Sequence, residues 1–273
     1  MLPTIISPLR WGHWGLRQLR LFFIALQFFT RLPIPRWVGF APEWLQQAPR
    51  YFPAVGLVVA AATALVYALA AWIWPQPGQL LPVLLSTIAG ICLTGALHED
   101  GFADVCDGFG GGMTAPRVLE IMRDSRIGVY GAIGIGLLVA LKCLLLASLP
   151  APQVLAALLV AHPLSRLAAL ALMWRLPYVR QEGKAQALVS PMSFATFCCG
   201  GLTAAIPLLA VGLGGWLSWI SIALGVLAAT LATAWLARMF VRRIGGYTGD
   251  CLGAVQQLTE VAFYLALSAV AGR

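Results

Sequence analysis

Charge is what this chain has least of. Asp and Glu number 10 and Lys and Arg 18 in 273 residues, so 10% of positions are charged. Soluble domains carry roughly 25%. With 60% apolar residues and a mean hydropathy of +0.85, polar side chains are too few to cover a water-soluble globule, and the bilayer is the expected solvent. Zinc-type cysteine spacing is also missing. Cys92, Cys106, Cys143, Cys198, Cys199 and Cys251 form no CxxC pair, which leaves buried free thiols as the expectation. The chain shows no strand alternation, no low-complexity tract, no internal repeat, no Ser-His-Asp pattern and no P-loop. A cleavable leader is not expected either. "LFFIALQFF" at 21–29 follows Arg10, Arg17 and Arg20, but no small-x-small site comes after it, so it reads as a retained interfacial or re-entrant helix.

What is abundant is long apolar sequence. Seven stretches, at 51–74, 80–98, 127–149, 153–175, 194–213, 216–240 and 253–272, are long enough to cross a hydrocarbon core of roughly 30 Å. The expected fold is all-α: a single polytopic helical bundle over 1–273, with about seven transmembrane helices and the N-terminal helix. Loops 75–79, 150–152 and 214–215 contain no Lys or Arg, while the segment before 51 and the loops 99–126, 176–193 and 241–252 hold most of the basic residues outside the spans. The positive-inside rule puts those three loops at one cytoplasmic mouth and the C-terminus outside. Trp72, Trp74, Trp216 and Trp219 would form the outer aromatic belt. The formal charge of +8 then belongs to topology and anionic lipid rather than to nucleic acid.

The scarce acids are clustered. Six of the ten lie between Glu99 and Asp124, four of them within "HEDGFADVCD". If the second span continues as helix, Asp100, Asp104 and Asp107 recur at i, i+4 and i+7 and share one face. Carboxylates in a column need either full solvation or a cation, and oxygen-only ligands select a hard ion such as Mg²⁺. Glu99 joins them as a fourth acid. The run "GFGGG" follows, so Gly110, Gly111 and Gly112 would bare backbone amides to an anion. A helix is expected from about Thr114 and Pro116 through "RVLEIMRDSRIG", offering Arg117, Arg123 and Arg126 as phosphate-binding forks beside Asp124. "GGYTGDCLGA" at 245–254 brings Thr248 and Asp250 to the same mouth, as does "GKAQALVSP" at 183–191. Lys142 and Arg166 fall inside spans and should pair with interior carboxylates. The combination points to metal-assisted chemistry on a phosphate or pyrophosphate. A CDP-alcohol or polyprenyl-phosphate transferase would use similar acids, although "DGFADV" and "DGFGGG" lack the arginine of a DGxxAR signature. A cation transporter would place its acids at mid-span on several helices.

Four stretches carry a closer resemblance: "FFTRLPIP" at 28–35, "GALHEDGFADVCDGFGGG" at 95–112, "IMRDSRIGVYG" at 121–131 and "GGYTGDCLGAVQQLTE" at 245–260. In these the chain resembles the cobalamin (5'-phosphate) synthase, or adenosylcobinamide-GDP ribazoletransferase, family. The resemblance implies a multi-pass enzyme of the bacterial inner membrane with its active site facing the cytoplasm. It would join adenosylcobinamide-GDP to α-ribazole or α-ribazole 5'-phosphate and release GMP, with Mg²⁺ as cofactor. A homo-oligomer or a complex with other corrinoid-pathway enzymes stays open. The positions it marks are His98, Asp100, Asp104, Asp107, Asp124, Ser125, Arg126, Thr248, Asp250 and Glu260. The family places a hydrophobic residue where Glu99 stands, which weakens Glu99 as a ligand and raises His98. The expected roles are catalytic for His98, Arg123, Asp124, Arg126 and Asp250, metal binding for Asp100, Asp104 and Asp107 with Glu99 as the weaker fourth ligand, and cofactor or substrate binding for Gly110, Gly111, Gly112, Ser125, Thr248 and Glu260.

Overall fold

The computed structural model describes residues 8–39, 41–75, 78–180 and 192–271. Among them are eleven α-helices: α1 (Pro8–Phe29), α2 (Pro42–Leu45), α3 (Phe52–Ile73), α4 (Leu80–Thr94), α5 (Leu97–Gly111), α6 (Ala115–Ile121), α7 (Val129–Ala147), α8 (Ala151–Arg175), α9 (Phe194–Leu213), α10 (Trp219–Ile244) and α11 (Gly249–Val270). The β-type pairing among these residues is an isolated bridge between Tyr178 and Tyr247. The expected all-α bundle is present, and the segment 183–191 lies outside the described residues.

Five helices are long and apolar enough to cross a membrane, six if α4 and α5 count as one bent span. Seven were expected, and α11 accounts for the difference. Asp250, Gln256, Gln257 and Glu260 dilute its hydropathy, and the last three are buried. α11 packs against α5, α7, α8 and α10, so its polar side chains face protein rather than lipid. The N-terminal run forms the second half of α1. Ile24, Ala25, Leu26 and Phe29 bury against Phe52, Val55 and Leu170.

The stretch 80–98 is not one span. α4 ends at Gly95 (φ 67°), and Ala96 (φ 58°) also takes the left-handed conformation, so α5 leaves at 89° to α4. Ala96 is the one non-glycine residue with positive φ among the described residues. That conformation costs an L-residue roughly 1–2 kcal/mol. The turn is held by the chain after α1, where Arg31 N–H donates to the Leu93 carbonyl at 2.8 Å. The break places the first turn of α5 inside the bundle instead of at its surface.

The interior is tied by one ionic cluster. Lys142 Nζ lies 2.7 Å from Glu260 Oε2 and 2.9 Å from Gln257 Oε1. His162 Nδ1 lies 2.9 Å from Glu260 Oε1, which also accepts from Ser165 Oγ at 3.0 Å. Gln257 Nε2 donates to Glu99 Oε1 at 2.7 Å. The network joins α5, α7, α8 and α11, and Lys142 finds its expected carboxylate in Glu260. Of the cysteines, Cys143 and Cys251 are buried as expected, but Cys92 and Cys199 are exposed on helix faces. Trp72, Trp74, Trp216 and Trp219 are all exposed.

Candidate active site

α5 and α11 cross where two glycines remove side chains. A Cβ on Gly101 would stand 2.9 Å from Asp250 Cα, and one on Gly253 would stand 3.0 Å from the His98 carbonyl oxygen. This contact brings the N-terminal turns of both helices to a cavity of about 720 Å³. One wall is apolar and aromatic, from Phe28 and Phe29 of α1 and Phe52 of α3. The other carries His98, Asp100, Arg166, Arg180, Asp250 and Gln256. The volume falls in the range of roughly 300–1,000 Å³ that holds a drug-sized ligand.

The sequence-predicted residues divide around this cavity. His98 is buried, its ring stacks on Phe29 at 5.6 Å between centroids, and its Nε2 has no partner among the described residues. Asp100 lines the cavity and is exposed. Asp104, one turn on, is half-buried within electrostatic reach of Asp250, Asp100 and Arg180. Asp250 Oδ2 meets Arg180 Nη2 at 2.7 Å, and the same nitrogen lies 3.1 Å from the Met122 carbonyl oxygen. Arg180 thereby joins the end of α6 to the start of α11. Arg166, also on the wall, pairs with no carboxylate among the described residues. Its Nη1 donates instead to the His162 carbonyl at 2.9 Å. Sequence reasoning did not single out Arg180. Its signal was its place after Tyr178, in a loop already grouped with this mouth.

Several expectations are overturned. Glu99 turns away from Asp100, because adjacent helical residues point about 100° apart, and it joins the Lys142–Glu260 network instead. Glu260 is 1% exposed within that network and does not line the cavity. Asp107 is no open ligand. Its two carboxylate oxygens each accept a backbone N–H at 2.7 Å, from Gly128 and Gly131, and so cap α7. Thr248 is fully buried and caps α11, accepting from Cys251 N. "GFGGG" is not an anion loop. Residues 108–111 are helical, and the Gly112 N–H is taken by the Gly108 carbonyl at 2.9 Å. Its glycines make room, Gly108 for Met122, Gly110 for Tyr130 and Gly112 for Val118, while Gly111 lies beside Ile121. α6 ends at Ile121 rather than running on through "RDSRIG". Segments 99–126 and 241–252, expected as loops, are therefore largely helix.

Past α6, Asp124 is clamped by Arg126, whose Nη2 lies 2.6 Å from Oδ2. Those hydrogen bonds hold the Asp124 carboxyl down at about 2. The pair lines a second recess of about 540 Å³ with Arg117 and Tyr130, separate from the first cavity. Ser125 is exposed between them. Arg123 is exposed and lies within electrostatic reach of Tyr178, which does line the first cavity.

Could these residues hold Mg²⁺? Among the described residues no three His, Cys, Asp or Glu side chains converge on a metal position. Asp100 and Asp104 do have carboxylates that no described residue occupies. Mg²⁺ is commonly held by one or two carboxylates together with water and substrate phosphate. The pair fits that mode and does not fit a cage made of protein alone.

The fold and cavity thus define a polytopic helical membrane protein with a pocket lined by guanidinium groups and carboxylates. The cobalamin-5-phosphate synthase family model matches residues 21–268. An adenosylcobinamide-GDP ribazoletransferase of Leptothrix cholodnii is 44% identical over 256 residues, covering 92% of this chain and 95% of that one. The protein of the same name from Ralstonia nicotianae is 45% identical over 246 residues, covering 89% and 92%. That of Vibrio cholerae is 41% identical over 255 residues, covering 92% and 94%. The chain belongs to the cobalamin-5-phosphate synthase family. No solved structure matches it.

Proposed function

We propose that this protein joins adenosylcobinamide-GDP to α-ribazole, or to its 5'-phosphate, and releases GMP, which completes the nucleotide loop of adenosylcobalamin or of its 5'-phosphate. The reading rests on the cavity at the α5–α11 crossing, where the Asp100 carboxylate, unpaired among the described residues and with Asp104 one turn on, stands with two guanidinium groups in a chain matched by the family over 21–268. The acceptor hydroxyl attacks the phosphorus nearest cobinamide, a new P–O bond forms, and the bond to the bridging oxygen breaks toward GMP. His98 accepts the hydroxyl proton, since it lines the cavity and its Nε2 has no partner among the described residues. Arg180 and Arg123 counter the charge that spreads over the phosphate oxygens. Asp100 and Asp104 would hold Mg²⁺, which when bound would supply charge neutralisation to the pyrophosphate and the leaving phosphate. Asp250 keeps Arg180 in place.

The mouth faces the cytoplasm of the bacterial inner membrane in this reading, supported by the basic residues around it: Arg117, Arg123, Arg126, Arg180, Arg242 and Arg243. Incubating the purified protein with adenosylcobinamide-GDP, α-ribazole and Mg²⁺ tests the proposal. Stoichiometric GMP and an adenosylcobalamin product are expected. GMP without a joined corrinoid would make the protein a hydrolase instead.

A further inference from the structure

Arg166 of α8 is the largest fully buried side chain among the described residues, 1% exposed. A guanidinium carries five N–H donors and stays charged. Here Nη1 reaches the His162 carbonyl, while Nε and Nη2 are buried without a partner among the described residues. Buried donors are almost always satisfied. The nearest charged neighbours do not serve: Glu260 is taken by Lys142, His162 and Ser165, and Glu99, whose Oε1 accepts from Gln257 and whose Oε2 is buried without a partner, forms no ion pair with Arg166 among the described residues. Arg166 does, however, line the 720 Å³ cavity. Around the same space open the N-terminal turns of α5 and α11, through His98 and Gly249, and helix N-termini favour anions. Beside them, half-buried Phe28 offers a face for an aromatic base, backed by Phe29, which stacks on His98.

We propose that Arg166 is the anion-binding floor of this cavity and takes a phosphate oxygen of a nucleotide whose base lies against Phe28 of α1. The proposal rests on the transfer reading above for the identity of the nucleotide. The phosphate belongs either to the donor's pyrophosphate or to a 5'-phosphorylated acceptor.

The test is calorimetric titration of detergent-purified wild type, Arg166→Gln and Arg166→Lys with four probes: inorganic pyrophosphate, GMP, α-ribazole 5'-phosphate and α-ribazole. Arg166→Gln should weaken the phosphate-bearing probe by about 10- to 100-fold, the range for a lost charge-assisted hydrogen bond. α-Ribazole should be unaffected. Weakening of pyrophosphate and GMP alone assigns the floor to the donor; weakening of α-ribazole 5'-phosphate alone assigns it to the acceptor. If Arg166→Gln fails to fold, Arg166→Lys decides. It keeps the charge without the planar fork and should still bind at least threefold more weakly. Binding of all three phosphate-bearing probes within twofold of wild type, by whichever variant folds, would overturn the proposal and leave water as Arg166's partner. Weakened binding in a protein that forms no GMP would leave the anion floor standing and remove only the transfer reading.

Discussion

Neighbouring residues on α5 have opposite fates, and mutants can separate them. Glu99 accepts from Gln257 inside the bundle, while Asp100 lines the cavity. Glu99→Gln should therefore lower thermal stability and leave KM for either substrate near normal; a raised KM with unchanged melting would place Glu99 in the cavity. Asp124 offers a pH test. Its pKa is held near 2, below the ordinary 3.8, by Arg126. A depressed carboxylate contributes fully above its unfolded value and is lost as pH falls through the folded one. The Asp124–Arg126 pair is thus intact throughout pH 5–9. Asp124→Asn should scale activity by one factor across that range without moving either limb of the profile. A shifted acid limb would mean that Asp124 titrates during turnover.

At the scale of elements, the acid spacing was legible and the helix carrying it was not. Asp100, Asp104 and Asp107 do lie on one helix, but Gly95 and Ala96 break it from α4, and no local propensity announces an alanine at positive φ. The glycine run misled for a related reason. Glycine weakens a helix by roughly 1 kcal/mol against alanine, yet packing of Met122, Tyr130 and Val118 onto 108–112 overrides that preference. Asp107 looked like its two neighbours in sequence and became a cap only because α7 starts beside it. Two mutations probe the elements. Ala96→Gly should be neutral or stabilising by up to about 1 kcal/mol, since glycine accepts φ 58° freely; a large loss of stability would mean the alanine methyl packs in the turn. Gly101→Val should pry α5 from α11, because even a Cβ there would press on the Asp250 backbone at 2.9 Å. GMP formation should fall with it, and an unchanged rate would show that the crossing does not shape the site.

For the whole molecule, the low charge and the apolar runs were enough to read a membrane bundle, and the family motifs mark much of the cavity. Phe28 and Phe29 fall in one of those motifs, whereas Phe52 and Arg180 reach it only through tertiary contacts, which periodicity does not show. Arg166 and α11 read ambiguously for the same reason: a polar residue in an apolar run is costly or harmless according to what packs around it. Orientation can be read from cysteines placed at exposed Met113 and Gly245 in a protein cleared of its six native thiols. Both should react from the cytoplasmic side and a cysteine at Leu213 only from the other; the reverse would invert the topology. The central claim is that chemistry occurs between α5 and α11 on carboxylates left free by the fold. Its most direct test is the rate of GMP release by Asp100→Asn and Asp104→Asn in liposomes with saturating substrates and Mg²⁺. The account predicts a loss of at least about 100-fold in each, in line with removal of a group that stabilises transition-state charge, with wild-type melting retained. Near-normal release from both would place the reaction elsewhere.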